Sequence, residues 1–161
     1  MALSDVSNIL WRERQLLELL VFKLEEEQLV LAAGRSRWLA YATREVENVL
    51  GEIKRIELER AVLVADAGRE LGLSGAPTLR ELGGLTPSPW DGIFAEHRRA
   101  LMALATEIDG ITKSNRELLQ RGHQAAREAI AAMGEIDIDA YDAHGTLPDR
   151  SLALRIVDEA I

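Results

Sequence analysis

Between Trp90 and Met133 the chain carries Phe94, His97, Leu101, Leu104, Ile108, Ile111, Asn115, Leu118, Gly122, Ala125, Ala129 and Ala132, nearly all apolar or small. The gaps alternate four and three, the spacing that keeps one seam on one face of an α-helix. Such a helix would be roughly 60 Å long at 1.5 Å per residue, and it has no compact shape of its own. It needs partners beside it. The chain before it supplies two, and the stretch after it, from Gly134 to Ile161, has a different character.

Ser4 and Asp5 can cap a first helix, over about residues 4–33. Leu3, Leu10, Leu17, Leu24 and Leu31 repeat every seven residues, with Val6 and Leu20 at alternate half-steps and Glu13 and Glu27 at the others. Ile9, Leu16 and Val30 widen that stripe into a face broad enough for two partners. Gly34 reads as the helix stop. A second helix, over about 36–71, takes Leu39, Ala42, Val46, Val49, Ile53, Ile56, Leu63 and Ala67 as its seam. Arg60 interrupts this seam and is expected to snorkel toward solvent. The short link at Gly34 makes the two helices antiparallel neighbours.

Gly72, Gly75, Pro77, Gly83, Gly84, Pro87 and Pro89 rule out a long helix across the 72–89 crossover. Thr78 and Glu81 have capping-box spacing ahead of Leu82, enough for one or two helical turns. The crossover is long enough to reach back to one end of the bundle. The third long helix, about 90–133, opens with Asp91 at the positive end of its dipole, and Trp90, Ile93 and Phe94 pack the bundle's end. Asn115 falls on its seam, where a polar side chain fixes register at a cost in stability. Its alanine-rich end makes the seam thin, which allows close helix approach or leaves a shallow groove that another apolar segment could fill. The expected fold is all-α, an elongated antiparallel three-helix bundle over 1–134. A tail over 135–161 follows, acidic at first and ending in a short amphipathic helix with Leu154, Val157 and Ile161 on one side. About eleven residues cannot hold a helix alone in water, so this piece docks back on the bundle or folds on a partner.

The net charge of −8 is uneven. From Glu135 onward seven acids face two bases, while the remainder is close to neutral and shows no basic face. That argues against nucleic acid as partner. With no cysteine there is no disulfide framework, thiol nucleophile or thiolate metal site. No apolar run approaches a membrane span, and no secretory signal opens the chain. Residues three before His97, His123 and His144 are Phe94, Gln120 and Tyr141, so the Glu-x-x-His pairs of a di-iron bundle are missing. Phosphate-cradling glycine patterns and the Gly-x-Ser-x-Gly elbow are absent too. A phosphotransfer histidine finds one candidate, His97 followed by Arg98 and Arg99, but it sits on the seam. His123 and His144 are expected in solvent. No enzyme activity and no cofactor is expected. Tyr141, an aromatic among acids and glycines outside the bundle, reads as a recognition anchor. A generic helical adaptor with some other helical partner fits these features as well.

Several stretches together resemble the FlgN family of flagellar type III export chaperones. They are Leu24-Glu-Glu-Glu-Gln-Leu29, the restart at Arg35 to Leu39, Arg44-Glu-Val-Glu-Asn-Val-Leu50 and Ile56-Glu-Leu-Glu-Arg60. Pro77-Thr-Leu-Arg-Glu-Leu82, Asn115-x-x-Leu118-Leu119 and the Ala-Tyr-Asp-Ala-His-Gly segment before the last helix complete the series. The resemblance implies a cytoplasmic, non-enzymatic protein that is not membrane-embedded. It would bind hook–filament junction proteins, prevent their premature assembly and deliver them to an export-gate membrane protein, with a homodimer possible. The family's C-terminal segment binds cargo, which points to Leu152, Leu154, Val157 and Ile161. A tyrosine in a Tyr-x-x-x-Gly setting contributes to gate docking, which Tyr141 and Gly145 match. Asp142 stands where the common pattern has glycine.

Overall fold

The chain first reverses at Gly34. Its φ of +65° is one that a side chain disfavours, and it lets the Arg35 N–H turn back to the Val30 carbonyl at 3.1 Å. The computed structural model describes residues 2–134, and around this turn it places two antiparallel helices, α1 (Ala2–Ala32) and α2 (Ser36–Glu70). A short helix, α3 (Leu79–Leu85), and a long one, α4 (Trp90–Ala132), follow. All four are α-helices, and there is no strand among the described residues. The three long helices have the expected type and order; the fourth, α3, lies within the crossover.

Why α1 lies in the middle follows from its sequence. Val6, Ile9, Leu10, Leu17, Leu20 and Leu24 are all buried, and they span more of the helix circumference than one neighbour can cover. So α1 packs against both α2 and α4, while α2 and α4 make no comparable contact with each other. Fully burying one leucine side chain contributes about 1.5–3 kcal/mol, so this double-sided face is the main source of cohesion. α2 contributes Val46, Val49, Ile53, Ile56 and Val64; α4 contributes Phe94, Leu101, Ala105 and Ile108. Cross-links fix the directions. Glu13 of α1 meets Arg60 of α2, and Lys23 meets Glu45. Ser7 of α1 meets His97 of α4, and Asn115 reaches the Leu24 carbonyl. α2 therefore runs down beside α1, and α4 runs up again.

That up-down-up path corrects the expected role of the crossover. The end of α2 and the start of α4 already share one end of the bundle, so the 72–89 stretch has no length to traverse. It builds a lid instead. The Thr78 hydroxyl accepts from the Glu81 N–H, and the Glu81 carboxylate accepts from the Thr78 N–H, which starts α3. Leu79 and Leu82 are then buried beside Phe94, on which Trp90 stacks. Gly68 lets the returning strand of chain lie directly on α2: a Cβ there would stand 2.8 Å from Pro77 Cδ and 2.9 Å from the Gly75 carbonyl oxygen.

Other residues also depart from expectation. α1 begins at Ala2, so Ser4 lies inside the helix instead of capping it. On α2 the buried residue is Val64, one past Leu63, as a 3.6-residue turn requires over a long helix. Arg60 does not snorkel. It is 4% exposed, and its guanidinium Nη1 donates to both oxygens of Glu13, at 2.9 and 3.1 Å. The two interruptions read separately in the heptads, Glu13 and Arg60, are halves of one buried ion pair. Glu27, the other acidic half-step, joins all three long helices. Its carboxylate accepts from Thr43 Oγ1 of α2 at 3.2 Å and from Asn115 Nδ2 of α4 at 3.2 Å.

Candidate functional site

The α4 seam is buried only as far as Asn115, with Leu104 and Ile111 half-buried along it. Ala105 and Thr112 are buried on it as well, but Gly122, Ala125, Ala129 and Ala132 face outward. The register explains this. Asn115 lies opposite Leu24 and Glu27, so α1 ends at Ala32 close to the level of Gly122. From Gln124 onward α4 runs past the α1–α2 turn, with only Arg127 and Ile130 half-buried. This overhang is roughly 13 Å long at 1.5 Å per residue.

Where α4 leaves the turn, a groove of about 300 Å³ opens. Its floor is apolar: Val30 and Leu31 of α1, Leu39 of α2, Leu118 and Leu119 of α4. Arg35 and His123 stand at its edge. His123 is half-buried there, not in open solvent as expected from the sequence. Beside the groove Trp38 and Tyr41 are exposed, their rings 5.7 Å apart, with the Arg37 guanidinium 4.8 Å from the Trp38 ring and that of Arg44 6.0 Å from Tyr41. Tryptophan, tyrosine and arginine are the residues that most often dominate protein–protein contacts.

The charge at this end is modestly positive. Residues 26–44 and 116–134, which the register of Glu27 with Thr43 and Asn115 brings to one level, hold six arginines against four glutamates. The wider composition is close to neutral, so the imbalance is invisible until the fold brings the α1–α2 turn beside the end of α4. The sequence pointed to a shallow groove at the alanine-rich end of α4; the groove lies a turn or more earlier, on Leu118, Leu119 and Gly122, with its other wall built by the turn. The signal was there, in apolar Val30, Leu31 and Leu39 on both sides of a three-residue link.

At the opposite end the histidine candidate resolves differently. His97 is 1% exposed, and its Nε2 lies 3.1 Å from Ser7 Oγ. Nδ1 faces Arg14 Nη1 at 3.5 Å, and a guanidinium can only donate, so Nδ1 is the acceptor and Nε2 carries the proton. The Trp11 ring meets the imidazole edge-on at 5.1 Å. Burial first, then the Arg14 charge, lowers the His97 pKa to about 4. Arg98 and Arg99 line a separate cavity with Arg80 and Asp91, so the bases beside His97 in sequence do not surround it in space. A sealed, neutral imidazole is a core residue and not a phosphoryl acceptor. Among the described residues no cluster of His, Asp and Glu is placed to hold a metal, and no helix is long and apolar enough to cross a membrane.

The residues singled out for partner binding, Tyr141, Gly145, Leu152, Leu154, Val157 and Ile161, lie outside the described residues, as do His144 and the acidic run from Glu135. α4 delivers the chain to them at Gly134, on the same end as the groove and the overhang. Comparison with known families matches residues 1–149 to the model described as FlgN protein. That span takes in Tyr141 and Gly145 and stops short of Leu152. Comparison with curated proteins and with solved structures finds no match.

Proposed function

This chain belongs to the FlgN family, the flagellar export chaperones for hook-associated proteins, and from that membership we propose where it holds its cargo. FlgN chaperones are cytoplasmic and non-enzymatic, so the work is binding alone. The cargo surface is the alanine-rich end of α4 together with the apolar side of the 135–161 segment, through Leu152, Leu154, Val157 and Ile161. A junction protein's terminal helix lays its apolar face along that surface and cannot polymerise through it while bound. Burying about 800 Å² on each partner is ordinary for a specific complex. Mass action then keeps the aggregation-prone chain monomeric until delivery. Tyr141 and Gly145 contact the export-gate membrane protein and hand the cargo over.

One observation carries this reading. α4 continues past its neighbours with small side chains turned outward, over the stretch that leads into the segment. Small side chains admit a helix at close range. The test is a chain ending at Gly134. It is expected to keep the bundle's helical signal and melting transition and to lose binding of the hook-associated protein in calorimetry. Retained affinity overturns the assignment. Tyr141→Ala is expected to leave cargo affinity unchanged and to weaken binding of the gate protein's soluble domain.

A further inference from the structure

The groove at the α1–α2 turn is apolar at its floor, with Arg35 in its wall, and the same chain carries an acidic segment that ends in apolar residues. Residues 135–161 hold seven acids against two bases, with Leu152, Leu154, Val157 and Ile161 near their end. That segment starts at Gly134, at the groove's own end of the molecule. The distance back is short. Gly122 lies twelve residues down α4, roughly 18 Å at helical rise, and the residues between Gly134 and Leu152 could extend about 55 Å.

We propose that the segment 135–161 folds back in the same molecule and occupies this groove when no partner is bound. Leu154, Val157 and Ile161 sit on the Val30, Leu39 and Leu118 floor, and Glu135, Asp137, Asp139 and Asp142 lie against the arginines of the turn and the α4 end. Three points single out this occupant. The charges are opposite in sign, on surfaces that the fold brings together. The sequence places an amphipathic piece too short to hold a helix alone within reach of an unfilled apolar floor. Tethering gives the segment an effective concentration in the millimolar range, so even weak docking fills the groove. The consequence, which rests on the chaperone reading, is competition. A partner gains the segment's apolar side only by drawing it out, so its apparent affinity is lowered by the fraction of molecules in which the segment is docked.

The full-length chain has no cysteine, which makes the experiment direct. A nitroxide placed through Ser151→Cys is expected to broaden the amide signals of Val30, Leu39, Leu118 and Leu119 and to leave those of Phe94 and Leu101 sharp. Val157→Asp in the same labelled chain is expected to restore the groove signals, and high salt to restore them in part, since the acidic contacts are exposed. Absence of broadening overturns the proposal. So does broadening of comparable strength when a spin-labelled chain without isotope is mixed with an isotope-labelled chain without nitroxide, because the occupant is then a second copy. Added hook-associated protein is expected to sharpen the groove signals. Broadening that persists in the complex overturns the competition, and a partner that does not bind at all counts against the cargo surface without touching the docking result.

Discussion

At the scale of single residues, the heptads conceal polar groups whose partners lie far away in sequence. Glu13 is 0% exposed, and burial pushes its carboxyl above the usual range while the Arg60 charge beside it pulls it back. Removing the cation alone leaves an unpaired buried acid. Arg60→Met is therefore expected to cost about 3–5 kcal/mol, read as a lower urea midpoint at unchanged slope. Adding Glu13→Leu is expected to recover most or all of that loss, because a well-packed apolar pair matches a buried ion pair in stability. A snorkelling Arg60, as the sequence suggested, would give a small effect and no rescue. His97 supplies the pH dependence. Its folded pKa of about 4 lies below the ordinary 6.5. Above pH 6.5 neither state holds the proton, and the histidine's full contribution is present. As pH falls from 6.5 to about 4, the unfolded chain binds a proton that the folded one refuses, so stability declines. The decline amounts to roughly 3 kcal/mol at most. Unfolding free energies across that window, wild type minus His97→Gln, are expected to show this slope and to flatten outside it.

At the scale of elements, legibility followed local physics. The long helices were readable because their apolar spacing persists over many turns, and α3 because Thr78 and Glu81 cap it with atoms three residues apart. Gly34 was readable as a stop. The direction of the crossover was not, since nothing in a glycine- and proline-rich stretch says whether it spans the bundle or folds over one end. Gly68 shows what decides it. In sequence it looks like a flaw at the end of α2; in the fold it is the contact point for Pro77 and Gly75. Gly110, inside α4, has no atom near its missing Cβ. Two glycine-to-alanine changes thus carry opposite signs. Gly110→Ala is expected to stabilise by about 0.5–1 kcal/mol through helix propensity. Gly68→Ala is expected to destabilise by about 1–3 kcal/mol, because rigid ring and backbone atoms must move. Thermal melts of the two variants decide whether the crossover is a packed lid or a loose connector.

At the scale of the molecule, one helix is asked to do two things. The first part of α4 is core, with Phe94, Leu101 and Ile108 buried against α1 and the lid. Its last turns lie beyond α1, and their alanines contribute helix propensity but little tertiary packing. Isolated helices of this length are marginal in water, so the overhang depends on the packed turns below it for its nucleus. Local opening should therefore be graded along a single continuous helix. Amide exchange from Leu101 to Asn115 is expected to require opening of the bundle. From Gln124 to Ala132 it is expected to be faster by orders of magnitude, because those hydrogen bonds open without breaking the core. Ala126→Gly with Ala129→Gly is expected to speed exchange in the overhang further and to leave the bundle's melting transition in place, since each glycine costs a helix about 1 kcal/mol only where it stands. If the overhang is the cargo's landing surface, the same pair weakens cargo binding by the free energy needed to re-form the helix. Uniform protection along the whole of α4 would mean instead that something already packs against its end, and the spin-label experiment then identifies whether that is the chain's own terminal segment.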